Sequence, residues 1–137
     1  MFEVISFTDV LAAVLNVLRA NVKDVPVFDH YPKDQALPFI HAEIVGVEEI
    51  PSKTMKKDRF QIYIHGWADG SRSSQPVFDV ADKIREAMTV PVSLPDGYDL
   101  LMQTPAGTQQ ILQNEDNSRH AIVGYQLTIT SGFKMKI

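Results

Sequence analysis

The sequence contains no cysteine among its 137 residues, and its seven glycines are scattered along the chain. The absence of cysteine excludes disulfides, iron–sulfur clusters, thiolate zinc sites and cysteine nucleophiles. Scattered glycines leave no Gly-rich loop for a phosphate or a dinucleotide, and neither an H-E-x-x-H nor a G-x-S-x-G motif occurs. The sequence therefore indicates no enzyme class, and we expect no cofactor.

An excess of positive charge is also lacking. The chain has 13 basic and 17 acidic residues, which gives a formal net charge of −4 and a pI near 5.5. Non-specific binding to duplex DNA requires clustered cations that neutralise phosphates. A dedicated nucleic-acid-binding protein is therefore disfavoured.

Long hydrophobic runs are missing too. The longest apolar runs, which include Ala12–Leu15, are far shorter than the ~20 residues needed to cross a bilayer. The first nine residues carry two acids and no base, the reverse of a secretory signal. We expect no membrane segment, no targeting signal and a soluble, intracellular protein with one domain over residues 1–137.

Residues 7–22 have the spacing of an amphipathic helix. Ser6 and Asp9 form a capping signal at its start, and the residues around Pro26 end it. Its apolar side chains recur every three or four positions, at Phe7, Leu11, Val14, Leu18 and Val22.

Residues 39–48 and 59–67 predict the two strands of a long hairpin, which follows a short extended segment at 27–32. In both strands apolar residues alternate with polar ones, as expected when one face is buried. The segment Glu49–Asp58 between them is predicted to be a mobile polar loop. The apolar positions are Ile40, Ala42 and Ile44 in the first strand and Phe60, Ile62 and Ile64 in the second.

A second helix is predicted over residues 75–88, with Ser74 as its N-cap and Pro76 in its first turn. Further strands are predicted over 98–104, 107–113 and 120–130. The order helix, strands, helix, strands indicates an α+β fold, with one mainly antiparallel sheet and both helices packed on one of its faces. The other face is then available to partners.

The best candidate for a chemical site is the group His41, Glu43 and His65. If residue 41 pairs with residue 65, these side chains share the polar face of the hairpin, and two imidazoles with one carboxylate can hold zinc. An ordinary polar surface, wet or covered by a subunit, is the interpretation that we favour, so no metal ligand is predicted. Asp29 and His30 are adjacent on an extended segment, so we expect them to point to opposite faces.

Three stretches, taken in order, resemble a known family. They are residues 27–34 with 37–40, containing Asp29-His30-Tyr31-Pro32; residues 62–69, containing His65-Gly66-Trp67; and residues 120–129, containing Gly124-Tyr125-Gln126. Together with the preceding amphipathic helix, they resemble the tail-completion family of long-tailed bacteriophages and prophages, which includes tail terminators and tail-to-head joining proteins. The resemblance covers nearly the whole chain.

The resemblance implies a structural protein without catalytic residues, cofactor or bound metal. Family members assemble as a ring, usually a hexamer, on the end of a completed tail tube, stop its polymerisation and present a surface to the head. The implied partners are copies of the chain itself, the tail tube protein and a head connector or stopper protein. DNA passes through the ring without sequence-specific binding. The implied location is the virion tail or neck, after assembly in the bacterial host cytoplasm, from a chain that can be monomeric in solution.

Two alternatives stay open. One is another neck protein, such as a connector adaptor or a stopper; such proteins tend to be more helical or barrel-like. The other is a small metal- or ligand-binding domain that uses the polar face around His41 and His65.

The sequence also predicts two groups of residues at partner interfaces. The first group is expected to meet an acidic partner, and it consists of Lys53, Lys56 and Lys57. The second is expected to lie near a subunit contact, and it consists of His41, Tyr63, His65 and Trp67.

Overall fold

The computed structural model describes residues 4–52, 55–106, 110–114 and 116–132. Its elements in chain order are α1 (Phe7–Asn21), β1 (Val27–Phe28), β2 (Phe39–Ile50), β3 (Lys56–Asp69), α2 (Gln75–Ala87), β4 (Asp99–Pro105), β5 (Gln110–Gln113) and β6 (Ser118–Gly132). The strands form one six-stranded sheet in the order β1-β2-β3-β6-β4, and β5 also pairs with β6. Every pairing is antiparallel except the short β1–β2 pair.

The predicted α+β fold with one mainly antiparallel sheet is confirmed. The organisation of residues 1–137 as a single domain stays a prediction. Within the described ranges, neither helix is long and apolar enough to span a bilayer.

Helix α1 begins and ends where its sequence signals place it. The Asp9 amide donates to the Ser6 hydroxyl at 3.1 Å, and Asp9 lies in the first turn, where a negative charge favours the helix. At the other end, Arg19 donates to the Val27 carbonyl at 2.9 Å, which ties the helix to β1. The buried side of α1 faces the sheet and comprises Val10, Ala13, Val14, Leu15, Val17 and Leu18.

The β2–β3 hairpin has the predicted register, with His41 opposite His65. The predicted loop at 49–58 is wrong in its extent, because β2 continues to Ile50 and β3 starts at Lys56. The backbone ladder continues here, with Glu49 opposite Asp58 and Ile50 opposite Lys57. Lys56 Nζ lies 2.8 Å from a Glu49 oxygen and 3.3 Å from an Asp58 oxygen.

Helix α2 has the predicted position, and Ser74 is its N-cap residue as predicted, with its carbonyl accepting from the Phe78 amide at 3.0 Å. The Ser74 side chain, however, makes no capping hydrogen bond. The Ser73 hydroxyl instead accepts from the Gln75 amide at 3.3 Å. Pro76 lies in the first turn as predicted, where its missing amide is not required.

Both helices pack on the same face of the sheet, as predicted, with α1 against β2 and α2 against β3 and β6. Gly66 on β3 allows the close approach of α2. A Cβ at Gly66 would lie 2.6 Å from Val80 Cγ1 and 3.2 Å from Ile84 Cδ1. The sheet contributes alternate residues to this core, including Ile40, Ala42, Phe60, Ile62, Ile64, Ala121, Val123, Tyr125, Leu127 and Ile129.

The predicted third and fourth strands differ in extent from the observed ones. β4 runs over Asp99–Pro105, and β5 is limited to Gln110–Gln113, while residues 107–109 of the predicted strand lie outside the described residues. β4 pairs with the later half of β6 and β5 with its start, so the two strands lie one after the other along the same side of β6.

Candidate functional site

The sheet face opposite the two helices, called here the open face, carries the candidate site. The strand registers place its side chains in rows across the sheet. The first three rows across β2, β3 and β6 are Phe39–Trp67–His120, His41–His65–Ile122 and Glu43–Tyr63–Gly124. The predicted sharing of one face by His41, Glu43 and His65 is therefore confirmed.

Five side chains of these rows, called here the histidine cluster, form two hydrogen-bonded groups that ring stacking joins. His65 Nδ1 lies 2.6 Å from His120 Nε2, and His65 Nε2 lies 3.3 Å from Glu43 Oε1. Trp67 Nε1 donates to His41 Nδ1 at 3.2 Å. His41 and His65 are only 7% and 8% exposed, although neither of the two described helices covers this face.

Ring stacking accounts for much of this burial. The rings of His41 and His65 are parallel within 5° with centroids 4.4 Å apart, and Trp67 stacks on His120 at 3.8 Å. Tyr31, from the segment after β1, sets its ring edge against Trp67 at 5.1 Å. The stacked rings shield one another from water, and each ring restricts the orientations open to its neighbours.

The cluster disfavours protonation of two of its imidazoles. Burial, together with the smaller effect of the neighbouring His65, lowers the pKa of His41 from 6.5 to about 4. The same two causes, burial first, lower the pKa of His120 from 6.5 to about 4. Both rings are therefore neutral near pH 7 and offer a lone pair to a hydrogen-bond donor or a metal ion.

The arrangement brings metal-binding donor atoms together. One atom from each of His41, Glu43 and His65 lies within 4.8 Å of the other two. Two imidazole nitrogens and one carboxylate oxygen are a set that suits zinc and similar ions. None of the five side chains of the cluster carries a hydroxyl or a thiol, and the phenol rings of Tyr31 and Tyr63 lie against its histidines.

His120 was not predicted to belong to the site. Its position on the polar side of β6 follows from the alternation in that strand, but its nearness to His65 depends on the β3–β6 register. Tyr31 was likewise not expected against Trp67. The pair Asp29 and His30 was judged wrongly, because β1 ends at Phe28 and the two side chains meet at 2.6 Å in a bend.

Comparison with known proteins agrees with this architecture. Residues 1–137 match the family described as "Putative tail termination protein". The chain belongs to this family. The resemblance to phage tail-completion proteins is thereby confirmed, and tail termination proteins have a structural role in phage tails.

A solved structure shares the fold of this tail termination protein. It is described as "Virion of native gene transfer agent (GTA) particle", and it is 16% identical with a TM-score of 0.70 over 90% of this chain and 96% of that chain. No curated protein matches the chain. The assignment to a virion tail component thus rests on the family match, and the solved structure supports the fold.

The predicted lysine group is not a cluster of free cations in this tail termination protein. Lys56 is held by Glu49 and Asp58, and its hydrogen bond to Glu49 raises its pKa. Lys57 lies on the open face opposite Ile50, far from the histidine cluster. Lys53 lies outside the described residues, and the predicted contact with an acidic partner stays a prediction.

Two apolar grooves lie at opposite edges of the sheet. The first, the α1–β2 groove, has a volume of about 470 Å³, and its lining includes the exposed Phe7, Val45 and Val47. The second, the α2–β5 groove, has a volume of about 410 Å³, and its lining includes the exposed Phe78 and Ile111. Both grooves lie on the helix side of the sheet and flank strands at its margins.

Proposed function

We propose that this protein caps the tail tube as a ring of identical copies and joins the tube to the head connector. The observation that carries the proposal is the family match over all 137 residues. The role is structural: the protein acts by fitting other proteins, and no reaction is assigned to it. The expected place of action is the virion tail or neck, after assembly in the host cytoplasm.

A ring of identical copies requires two different surfaces that bind each other and repeat by rotation. The two margins of the sheet meet this requirement. On one side, β1 pairs only with Ile40 and His41, so in the described chain the outer edge of β2 from Glu43 to Ile50 pairs with no strand. On the other side, no described strand pairs with the outer edge of β4 or β5.

The apolar grooves supply the matching side chains, and the occupant we assign to each groove is a second copy of this chain. An unpaired strand edge recruits another strand edge, and the opposite margin of the same protein offers one. Val47 of one copy then lies against Ile111 of the next, with the edges of β2 and β5 side by side. The exposed apolar surface that each groove presents is removed from water.

The predicted interface residues have distinct parts in this assembly. His41 and His65 are buried and contact Trp67 and Tyr63. All four lie on the open face, whereas the two grooves lie on the helix side, so their place near a subunit contact stays a prediction. Lys57 is the described lysine of its group that remains available to an acidic partner. A net charge of −4 is compatible with DNA passing through the ring, because an excess of acidic residues does not favour tight contacts with phosphates.

The head-to-tail contact is tested by placing a charge on either margin. Val47→Asp and Ile111→Asp each leave one margin intact, so we expect neither variant alone to form rings on purified tail tubes. A mixture of the two has one intact contact per pair, and it should give pairs of chains without closed rings by native mass spectrometry. Arg72→Asp, outside both grooves, should behave like the unchanged protein. Ring formation by both single variants would contradict this interface.

The function is tested by deleting the gene and supplying the protein again. Without the protein, we expect overlong tails that are not joined to heads. The unchanged protein should restore normal particles, and Val47→Asp should not. Normal tails joined to filled heads in its absence would overturn the proposal, and tails of normal length lacking only heads would indicate a head-side neck protein instead.

A further inference from the structure

We infer that His41, Glu43 and His65 form a binding site for one divalent transition-metal ion of the class that prefers imidazole nitrogen, such as Zn²⁺ or Ni²⁺. The sequence alone favoured an ordinary polar surface, because the strand register was not known. The structure fixes that register and adds His120 behind His65. The inference is independent of ring formation and of the tail role.

Metal binding needs a closer approach of the donor atoms and a reorientation of one ring. The three atoms lie within 4.8 Å of one another, whereas ligands at about 2.0–2.1 Å from a tetrahedral ion are about 3.4 Å apart. Glu43 Oε1 already lies 3.3 Å from His65 Nε2, and the Glu43 side chain is 47% exposed, so it can follow the ion. The His41 ring has to tilt out of its stack on His65, because the in-plane lone pairs of two parallel rings do not meet at one ion.

A second hydrogen bond is available to orient His65 for coordination. Its Nδ1 lies 2.6 Å from His120 Nε2, and when Nδ1 is the donor, Nε2 carries the free lone pair, as in metal-binding histidines. Its Nε2 then faces Glu43 Oε1 at 3.3 Å. That separation is longer than the about 2.7–2.9 Å of a charge-assisted hydrogen bond, so the two groups are close without being tightly bonded.

Trp67 provides a built-in reporter of metal binding. Its indole N–H donates to His41 Nδ1, and it is the chain's single tryptophan. A metal on Nδ1 displaces that donor directly. If the metal binds Nε2, the ring proton is on Nδ1, and Nδ1 can then no longer accept the hydrogen bond from Trp67. Coordination through either nitrogen of His41 therefore breaks the Trp67 hydrogen bond and changes the surroundings of the indole.

The donor set also determines which ions are bound. Imidazole nitrogens suit zinc, nickel and copper, whereas magnesium and calcium prefer sets made of oxygen. Three protein ligands leave a further coordination position, which water or a side chain from a partner can fill. We therefore expect one ion per chain, with no competition from Mg²⁺.

The test uses the full chain without a histidine tag, freed of metal with EDTA and then dialysed. Zn²⁺ and Ni²⁺ are titrated by calorimetry, and Trp67 fluorescence is followed in parallel. We expect one site per chain and a change in Trp67 emission that saturates at the same ratio. In Glu43→Gln, an exposed change that leaves the stacked rings in place, affinity should fall at least tenfold. In His65→Gln, binding at this site should be lost.

His30→Gln is the matched control, because His30 also lies beside a carboxylate, that of Asp29, but outside the cluster. This variant should bind Zn²⁺ like the unchanged protein. The inference is overturned if Zn²⁺ and Ni²⁺ fail to bind, or if they bind without changing Trp67 emission. It is also overturned if Glu43→Gln keeps full affinity while His30→Gln loses it.

Discussion

Acid should destabilise this protein well above the pH at which its carboxylates titrate. The cause is the histidine cluster, whose rings are buried on the open face. Burial lowers the pKa of His41 and of His120 to about 4, whereas an unfolded chain has histidine pKa values near 6.5. Between these two values the unfolded chain binds more protons than the folded one, so stability falls as the pH falls.

The size of the effect follows from proton linkage. For one histidine with this pKa shift, lowering the pH from 7 to 5 removes about 2 kcal/mol from the free energy of unfolding. His120 is half-buried and contributes less than the full amount, so the two rings together give about 2–4 kcal/mol. This is a large share of the about 5–15 kcal/mol that holds a typical domain folded. The stability is fully present above pH 6.5 and is lost towards pH 4.

Urea unfolding at pH 7, 6 and 5 in the presence of EDTA measures how much the free energy of unfolding falls with pH, with Trp67 fluorescence as the signal. The carboxyl pKa values of Asp29, Asp69 and Asp116 are lowered by hydrogen bonds from His30, Ser71 and Ser118, so these acids stay ionised throughout that range. His41→Gln should reduce the difference between pH 7 and pH 5 by about half, and His30→Gln should leave it unchanged. Two results would contradict a role of the histidine cluster in acid sensitivity. One is equal stability at pH 7 and pH 5, and the other is an undiminished loss of stability between these pH values in His41→Gln.

Three further predictions concern the core and the first helix cap, each measured by urea unfolding at pH 7. Gly66→Ala places a methyl group 2.6 Å from Val80 Cγ1 and should cost about 1–3 kcal/mol; unchanged stability would show that α2 moves away freely. Leu18→Ala leaves a cavity in place of a fully buried side chain and should lower the free energy of unfolding by about 2–5 kcal/mol. A loss below 1 kcal/mol would contradict the place of Leu18 in the core. Ser6→Ala removes the Asp9 cap and should cost about 1 kcal/mol, whereas Ser74→Ala, which removes no capping hydrogen bond, should be nearly neutral.

Local signals in the sequence predicted the parts of the fold that depend on neighbouring residues. The three-and-four spacing and the Ser6 cap predicted α1, because both act within one or two turns of helix. Strict alternation predicted β2, β3 and β6 and placed His41 and His65 on the same face. When apolar and polar residues alternate along a strand, the pattern shows which side chains share a face, even when the partner strand is unknown.

Contacts between distant segments were not predictable from the same signals. The nearness of His120 to His65 depends on how β6 pairs with β3, across 55 residues of sequence. The hairpin is longer than predicted, with Lys56 bridging Glu49 and Asp58, an arrangement that residue type alone presents as a polar loop. The register of a strand is set by the whole sheet, so such contacts appear only with the fold.

The proposed function requires copies of this chain to close a ring at the end of the tail tube. Cryo-electron microscopy of tails assembled with the protein shows whether they do. We expect a closed ring of this chain at one end of each finished tube, with the β2 edge of each copy against the β5 edge of the next. Tubes whose ends lack the chain, or that carry it along their length, would contradict this role.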